Sequence, residues 1–155
     1  MSSAEATSTP RSWCAITCPV VRAFMWAIRR RWAALEAGGH GPYARDEIED
    51  ILATACIGFG ACRAASGSTT AVVHTGNWGT GAFGGDRALM ALLQLVAARL
   101  AGLDRLVFHS SDGAAHLRKA EELLDKLPMA NGAPIDDLID AIHAHGFAWG
   151  VSDGN

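Results

Sequence analysis

The sequence predicts an α/β fold with a short, mainly parallel sheet flanked by helices. Residues 69–74 and 106–109 are apolar and rich in β-branched or aromatic side chains, which is typical of short buried strands. Between them, residues 88–100 carry apolar side chains at helical spacing. A strand, a helix and a second strand in this order favour parallel pairing through a right-handed crossover.

Length, charge and hydropathy restrict the class of protein. The chain has 155 residues, a net charge of −3 and 50% hydrophobic residues, which indicates one domain with a substantial core and no surface for nucleic acid. No run approaches the roughly 18 apolar residues of a membrane span. Residues 13–21 lack the cleavage site of a secretion signal, so we expect a cytoplasmic protein. Residues 1–11 are predicted to be a disordered tail and residues 12–152 a single domain.

Two helices are predicted before the first strand. Pro19 suits the first turn of a helix whose apolar residues, from Val20 to Leu35, share one side, while the arginines share the other. This helix either covers the sheet or binds a partner chain. The glycines of residues 38–41 end it, and a second helix is predicted over residues 46–56, followed by a loop at Gly58 to Gly60.

Two helices and an edge strand are predicted after the second strand. Asp112 can cap a helix over residues 114–127, and Pro134 begins a last helix that Gly146 closes. Residues 147–151 have the composition of a final edge strand.

The helix over residues 88–100, between the two strands, has almost no polar side and should be deeply buried.

The four cysteines and the histidine spacing predict neither disulfides nor a metal site. Cys14, Cys18, Cys56 and Cys62 are all expected to be reduced and to pack as small apolar side chains. Cys14 and Cys18 form a CxxxC pair, but the two further ligands of a zinc site are not nearby in sequence. No cofactor is predicted.

The sharpest chemical signal is the segment TGNWGTGAFGGD, residues 75–86, which has five glycines between a strand and a helix. Glycines at such a turn permit positive φ and let backbone N–H groups converge on an anion. Residues 79–84 also fit the dinucleotide pattern G-x-G-x-x-G, but the candidate acid Asp112 lies beyond the usual spacing. A Walker loop is excluded because no Lys-Ser/Thr pair follows, and a purely structural tight turn remains an alternative.

The same segment resembles the TGNWGCGAFGGD motif of the poly(ADP-ribose) glycohydrolase family, with Thr80 in place of Cys. The likeness extends upstream to residues 45–48 and 53–59 (ATACIGF), which are similar to the RELNKAYCGF helix of that family, and downstream to residues 89–98 and 106–108. Residues 45–112 therefore look like the C-terminal half of the family domain.

The resemblance implies a three-layer, macrodomain-like α/β fold that binds the diphosphate of ADP-ribose or a related nucleotide. Phe83 and Asn77 would lie against the ribose and the phosphates. The glutamate-bearing GGG-x-x-x-QEE loop of the family has no counterpart here. Residues 110–113 (SSDG) stand where the family carries an aromatic residue for adenine before a Gly-Asp pair. The residues expected to contact the ligand are Thr75, Gly76, Asn77, Trp78, Gly79, Gly81, Ala82, Phe83 and Gly84.

Three functions remain open from the sequence. The first is binding of ADP-ribose or a related nucleotide diphosphate, with hydrolysis only if another chain or an unrecognised residue supplies the acid. The second is changed chemistry on another anionic small molecule, with His109 and Asp112, or His74, as acid and base, because both histidines end predicted strands. The third is a half-domain that completes its sheet as a homo-oligomer or with a partner protein.

Overall fold

The computed structural model describes residues 40–110, 114–129 and 133–150. The predicted tail, the first predicted helix and Asp112 lie outside these residues. The described elements are four helices and two strands: α1 (Arg45–Ala65), β1 (Val72–Gly76), α2 (Arg87–Leu100), β2 (Arg105–His109), α3 (Ala115–Leu124) and α4 (Ile135–His143).

Helix α1 continues for nine residues beyond Cys56, where the predicted helix over residues 46–56 ends. The prediction of a loop at Gly58 to Gly60 was wrong, because these residues are helical. Ile48, Leu52 and Phe59 fall on one helical side and are all buried. The two glycines inside the helix together cost about 2 kcal/mol, which the burial of a large apolar side chain, at about 1.5–3 kcal/mol, can offset. The benefit of burying Phe59 therefore keeps the chain helical through both glycines.

The two strands pair in parallel, as predicted. Val72 lies opposite Arg105, and the register continues to Gly76 opposite His109. β1 begins three residues later than predicted, because Thr69 closes a turn in which its amide and its hydroxyl donate to the Ser66 carbonyl (2.9 and 2.6 Å).

Helix α2 forms the centre of the core, as its lack of a polar side predicted. It contacts α1, α3 and β2, and ten of its residues are buried. Asp86 caps it, since the Asp86 carboxylate accepts a hydrogen bond from the Leu89 amide at 2.8 Å. The helix that starts directly after the glycine loop is therefore the most enclosed element among the described residues.

Helices α3 and α4 complete the described core. α3 ends at Leu124, three residues before the predicted end, and Gly146 closes the turn after α4 with φ of 67°. The Arg45 guanidinium joins α1 to α4 through Asp136 and Asp140, both at 2.6 Å. In place of the predicted edge strand, the described residues show one isolated antiparallel bridge, Pro42 to Ala148.

The described elements form a partial α/β fold with a short two-stranded parallel sheet, in agreement with the predicted class. None of the helices within the described ranges is both long and apolar enough to cross a membrane.

Candidate ligand site at the carboxyl end of the sheet

The glycine loop begins where β1 ends and leads directly into α2. Gly79 and Gly84 have φ of 59° and 65°, conformations that glycine adopts without strain. The Gly84 amide donates to the Gly81 carbonyl, and the Gly85 amide donates to the Gly79 carbonyl, both at 2.9 Å. The Gly84 amide, which was expected to meet the ligand, therefore has a partner within the loop.

The loop folds back on itself so closely that Gly85 has no room for a side chain. A Cβ atom there would lie 2.8 Å from the Gly79 carbonyl oxygen. The Gly150 amide donates to the Gly84 carbonyl at 2.6 Å, so the segment after α4 also contacts the loop.

Tyr43 supports the junction between the loop and α2, a role that the sequence did not reveal. Its hydroxyl accepts a hydrogen bond from the Asp86 amide at 3.1 Å, and its ring stacks on Trp149 at a centroid distance of 4.3 Å. The Trp149 amide in turn donates to the Gly41 carbonyl at 2.9 Å. Burial raises the pKa of Tyr43 to about 12. Tyr43 and Trp149, which are distant in sequence, thus support the junction of the loop with α2.

Gln94 anchors the strand end to the core helix and was also missed. The Thr75 hydroxyl donates to the Gln94 Oε1, and Gln94 Nε2 donates to the Gly76 and Met90 carbonyls at 3.1 and 3.0 Å. Gln94 is fully buried. A signal was present, because Gln94 is the only polar residue in the apolar run of residues 88–98. Through this contact, the Thr75 side chain faces α2.

An open cleft of about 590 Å³ lies beside the loop and is lined by Asn77, Phe108, His109 and Ser110. Asn77 Oδ1 is buried and has no hydrogen-bond partner within the part of the chain that the structure describes. A buried acceptor normally has a donor, so a ligand group or a water molecule is expected to supply one.

Two aromatic residues of the loop have different surroundings. Trp78 is partly buried against the core, with its ring 5.7 Å from that of Phe59 at an angle of 58°. Phe83 is 38% exposed. Trp78 therefore supports the loop, whereas Phe83 is placed where a bound molecule can reach it.

His74, in the middle of β1, and His109, at the end of β2, lie close together. The His74 Nδ1 and the His109 Nε2 lie 2.9 Å apart, and both side chains are exposed. Asp112, the other residue expected in acid/base chemistry, lies outside the described residues.

A negatively charged side chain lies at the N-terminus of α2. The Asp86 carboxylate already complements the N-terminal end of the α2 dipole.

A model of a known protein family matches the part of the chain that carries this site. The family model described as "Poly (ADP-ribose) glycohydrolase (PARG), Macro domain fold" matches residues 28–118, more than half of the chain. The match spans α1, the glycine loop, α2, β2 and the start of α3, and it contains all of residues 45–112. It confirms the family resemblance and the macrodomain type of fold.

Proposed function

The chain belongs to the poly(ADP-ribose) glycohydrolase family, and on that premise we propose that it binds ADP-ribose or a related nucleotide diphosphate beside the glycine loop. The observation that carries the proposal is the loop itself, in which Gly79 and Gly84 take positive φ next to an open cleft at the carboxyl end of β1. Ligands of parallel α/β sheets bind at this end of the strands.

Each part of the ligand has a counterpart in the site. Backbone amides of residues 79–83, including Gly81 and Ala82, would contact the diphosphate. Asn77 would donate its side-chain amide to a phosphate oxygen, which leaves the enclosed Asn77 Oδ1 to accept a hydrogen bond from a hydroxyl or water. Phe83 would lie beside the ribose.

Hydrolysis requires a group that the sequence does not contain in the family arrangement. The GGG-x-x-x-QEE stretch is absent from residues 1–155. We therefore expect binding without efficient cleavage of the ribosyl bond, unless another chain supplies the carboxylic acid.

Calorimetric titration of the purified chain with ADP-ribose tests the proposal. Gly81 is not among the glycines with positive φ, so a Gly81→Val variant avoids the strain of that conformation, and its side chain is expected to obstruct the loop. We expect binding by the intact chain and at least about a tenfold loss in the variant, since displaced phosphate hydrogen bonds contribute about 1.5–3 kcal/mol each.

Gly60→Ala is the matched control, because nothing lies within 4 Å of a Cβ atom at this helical glycine. It should bind ADP-ribose as the intact chain does. Absence of binding by the intact chain, or equal binding by the Gly81→Val variant, would overturn the proposal.

A second candidate is acid/base chemistry on another anionic small molecule, which the His74 and His109 pair favours. At 2.9 Å, one ring can fix the tautomer of the other, as in catalytic pairs in which a base is held by a neighbour. Turnover of nucleoside diphosphate derivatives should then depend on pH, and His109→Asn should flatten the profile. A profile left unchanged by this substitution would exclude the pair as the acid or base.

A further inference from the structure

The two histidines are hydrogen-bonded to each other because of the register of the parallel strands. His74, Gly76, Val107 and His109 share one face of the sheet, since side chains alternate along each strand and Gly76 lies opposite His109. Gly76 has no side chain, so the space beside His109 is open to the ring of His74. The His74 Nδ1 and the His109 Nε2 lie 2.9 Å apart, within the usual range for a hydrogen bond.

This hydrogen bond limits the pair to one additional proton. A neutral imidazole has one N–H donor and one acceptor nitrogen, whereas a protonated imidazole has two donors. If both rings were protonated, both facing nitrogens would carry a hydrogen and the bond between them would be lost. When only His109 is protonated, its Nε2–H donates to the His74 Nδ1, and its Nδ1–H is a second donor for another partner.

His109 belongs both to this pair and to the cleft of the proposed ligand site. It lines the cleft together with Asn77, the residue proposed to donate to a phosphate oxygen. His74 and His109 are both exposed, so water can supply the proton. A hydrogen bond between an imidazolium and a phosphate is charge-assisted, which makes it about twice as strong as a neutral one.

We infer that His109 binds a phosphate of the ligand as a cation, and that His74 is the residue that positions it. On binding, His109 takes one proton from solvent and donates its Nδ1–H to a phosphate oxygen. The His74 Nδ1 accepts the Nε2–H of His109, and His74 itself stays neutral. This inference rests on the proposed binding of ADP-ribose or a related diphosphate, to which it adds that binding is coupled to the uptake of a proton.

The other charged and titratable groups near the pair are few within the described ranges. Arg105 lies on the same face of β2 as His109, so its positive charge also favours an anion there. The carboxylate of the glycine loop, Asp86, caps α2 and accepts from the Leu89 amide. His116 of α3 has its ring against Phe108 at a centroid distance of 5.9 Å, so it is a second histidine close to the cleft.

Calorimetric titration of the full chain with ADP-ribose at pH 7.5, in buffers of different ionisation enthalpy, tests the inference. The dependence of the binding enthalpy on the buffer gives the number of protons taken up. The two phosphates of ADP-ribose are fully ionised at this pH, so the ligand exchanges no proton itself. An ordinary imidazole is mostly neutral at pH 7.5, and a neighbouring anion favours its charged form, so we expect an uptake of roughly half a proton or more per ligand.

Substitutions of the two histidines separate their roles. His109→Asn keeps a neutral amide donor but has no group that takes a proton, so uptake should disappear and the affinity should fall by about tenfold. His74→Phe keeps a ring but offers no acceptor, so uptake should decrease. His74→Asn restores an acceptor, the amide oxygen, close to the position of the imidazole Nδ1, and should recover much of the uptake.

His116→Phe and His143→Asn are the controls, since His116 lies close to the cleft and His143 is an exposed histidine at the end of α4. Both should keep the uptake, and circular dichroism should show that all variants fold. Binding of ADP-ribose without proton uptake would overturn the inference and leave the proposed function standing. Uptake that persists in His109→Asn, is unchanged in His74→Phe or disappears in His116→Phe would also overturn it. No binding by the intact chain would overturn the proposed function and this inference together.

Discussion

Gln94 is the residue on which the position of the strand end depends most directly. It is fully buried, and it satisfies the Thr75 hydroxyl and the Gly76 carbonyl at the point where β1 becomes the glycine loop. A polar side chain in this place costs stability unless each of its partners is present. The hydrogen bonds of Gln94 therefore set the position of the loop relative to the core.

We expect Gln94→Leu to lower the free energy of unfolding by about 1–3 kcal/mol, because it leaves two polar groups without partners. Urea unfolding measures the change. Arg99→Leu, at an exposed position of the same helix, should change stability by less than about 0.5 kcal/mol. Combining Gln94→Leu with Thr75→Val should cost less than the sum of the two single substitutions, since both partners of one hydrogen bond are then removed. Equal stability of Gln94→Leu and the intact chain would contradict this role.

Tyr43 is the only tyrosine in the chain, so its ionisation can be followed directly. Its side chain is 2% exposed, and burial raises the pKa of Tyr43 from about 10 to about 12. Between pH 10 and 12 the folded state holds a proton that the unfolded state has lost. Unfolding free energy should therefore fall with rising pH in this window, by roughly 2–3 kcal/mol in total.

Tyrosinate absorbance should titrate near pH 12 in the folded protein and near pH 10 in denaturant. Tyr43→Phe should abolish the transition and flatten the dependence of stability on pH in this window. A midpoint near 10 with unchanged circular dichroism would show that Tyr43 is not enclosed as described.

At the scale of elements, the glycine loop depends on contacts within it and on the segment after α4. The bonds from Gly85 to Gly79 and from Gly150 to Gly84 hold the loop on both sides. Because the nearest atom to a Cβ at Gly85 belongs to the backbone, the loop can accept a side chain there only by opening.

We expect Gly85→Ala to destabilise the protein by about 1–3 kcal/mol and to weaken ADP-ribose binding, since overpacking of this kind forces backbone shifts. Gly60→Ala, in the open surface of α1, should instead stabilise it by about 0.5–1 kcal/mol. Thermal unfolding of the Gly85→Ala and Gly60→Ala proteins under the same conditions measures both changes in stability. A Gly85→Ala protein as stable as the Gly60→Ala protein would show that the loop has room for a side chain at Gly85.

At the scale of the whole molecule, the sheet is the least enclosed part. No residue of β1 or β2 is buried, and each strand has one edge without a partner strand among the described residues. Two parallel strands are too few for an independently stable sheet, and parallel sheets are usually covered on both faces.

We propose that a second copy of the chain extends the sheet at one of these edges. Sedimentation at micromolar concentration should then give a mass near twice the 16.3 kDa of one chain. A stable species of 16.3 kDa would exclude this assembly.

The sequence alone determined the features that depend on short-range residue patterns. Periodicity predicted the two strands and the buried helix α2, because one apolar side or a continuous apolar run must face a core. The glycine spacing predicted a turn with positive φ at the strand end, since other residues are strained there. The motif in residues 75–86 was specific enough to indicate the family.

Only the tertiary structure decided which distant residues complete the site. Phe59 keeps α1 helical through Gly58 and Gly60 because it packs against the core and Trp78, a contact that no local pattern contains. Tyr43 reaches the loop from before α1, and residues 147–150 reach it from the end of the chain. His74 and His109 are 35 residues apart in sequence, and only the register of the parallel pair brings their nitrogens to 2.9 Å. Such contacts follow from how whole elements pack, which depends on the summed burial of many side chains rather than on any single segment.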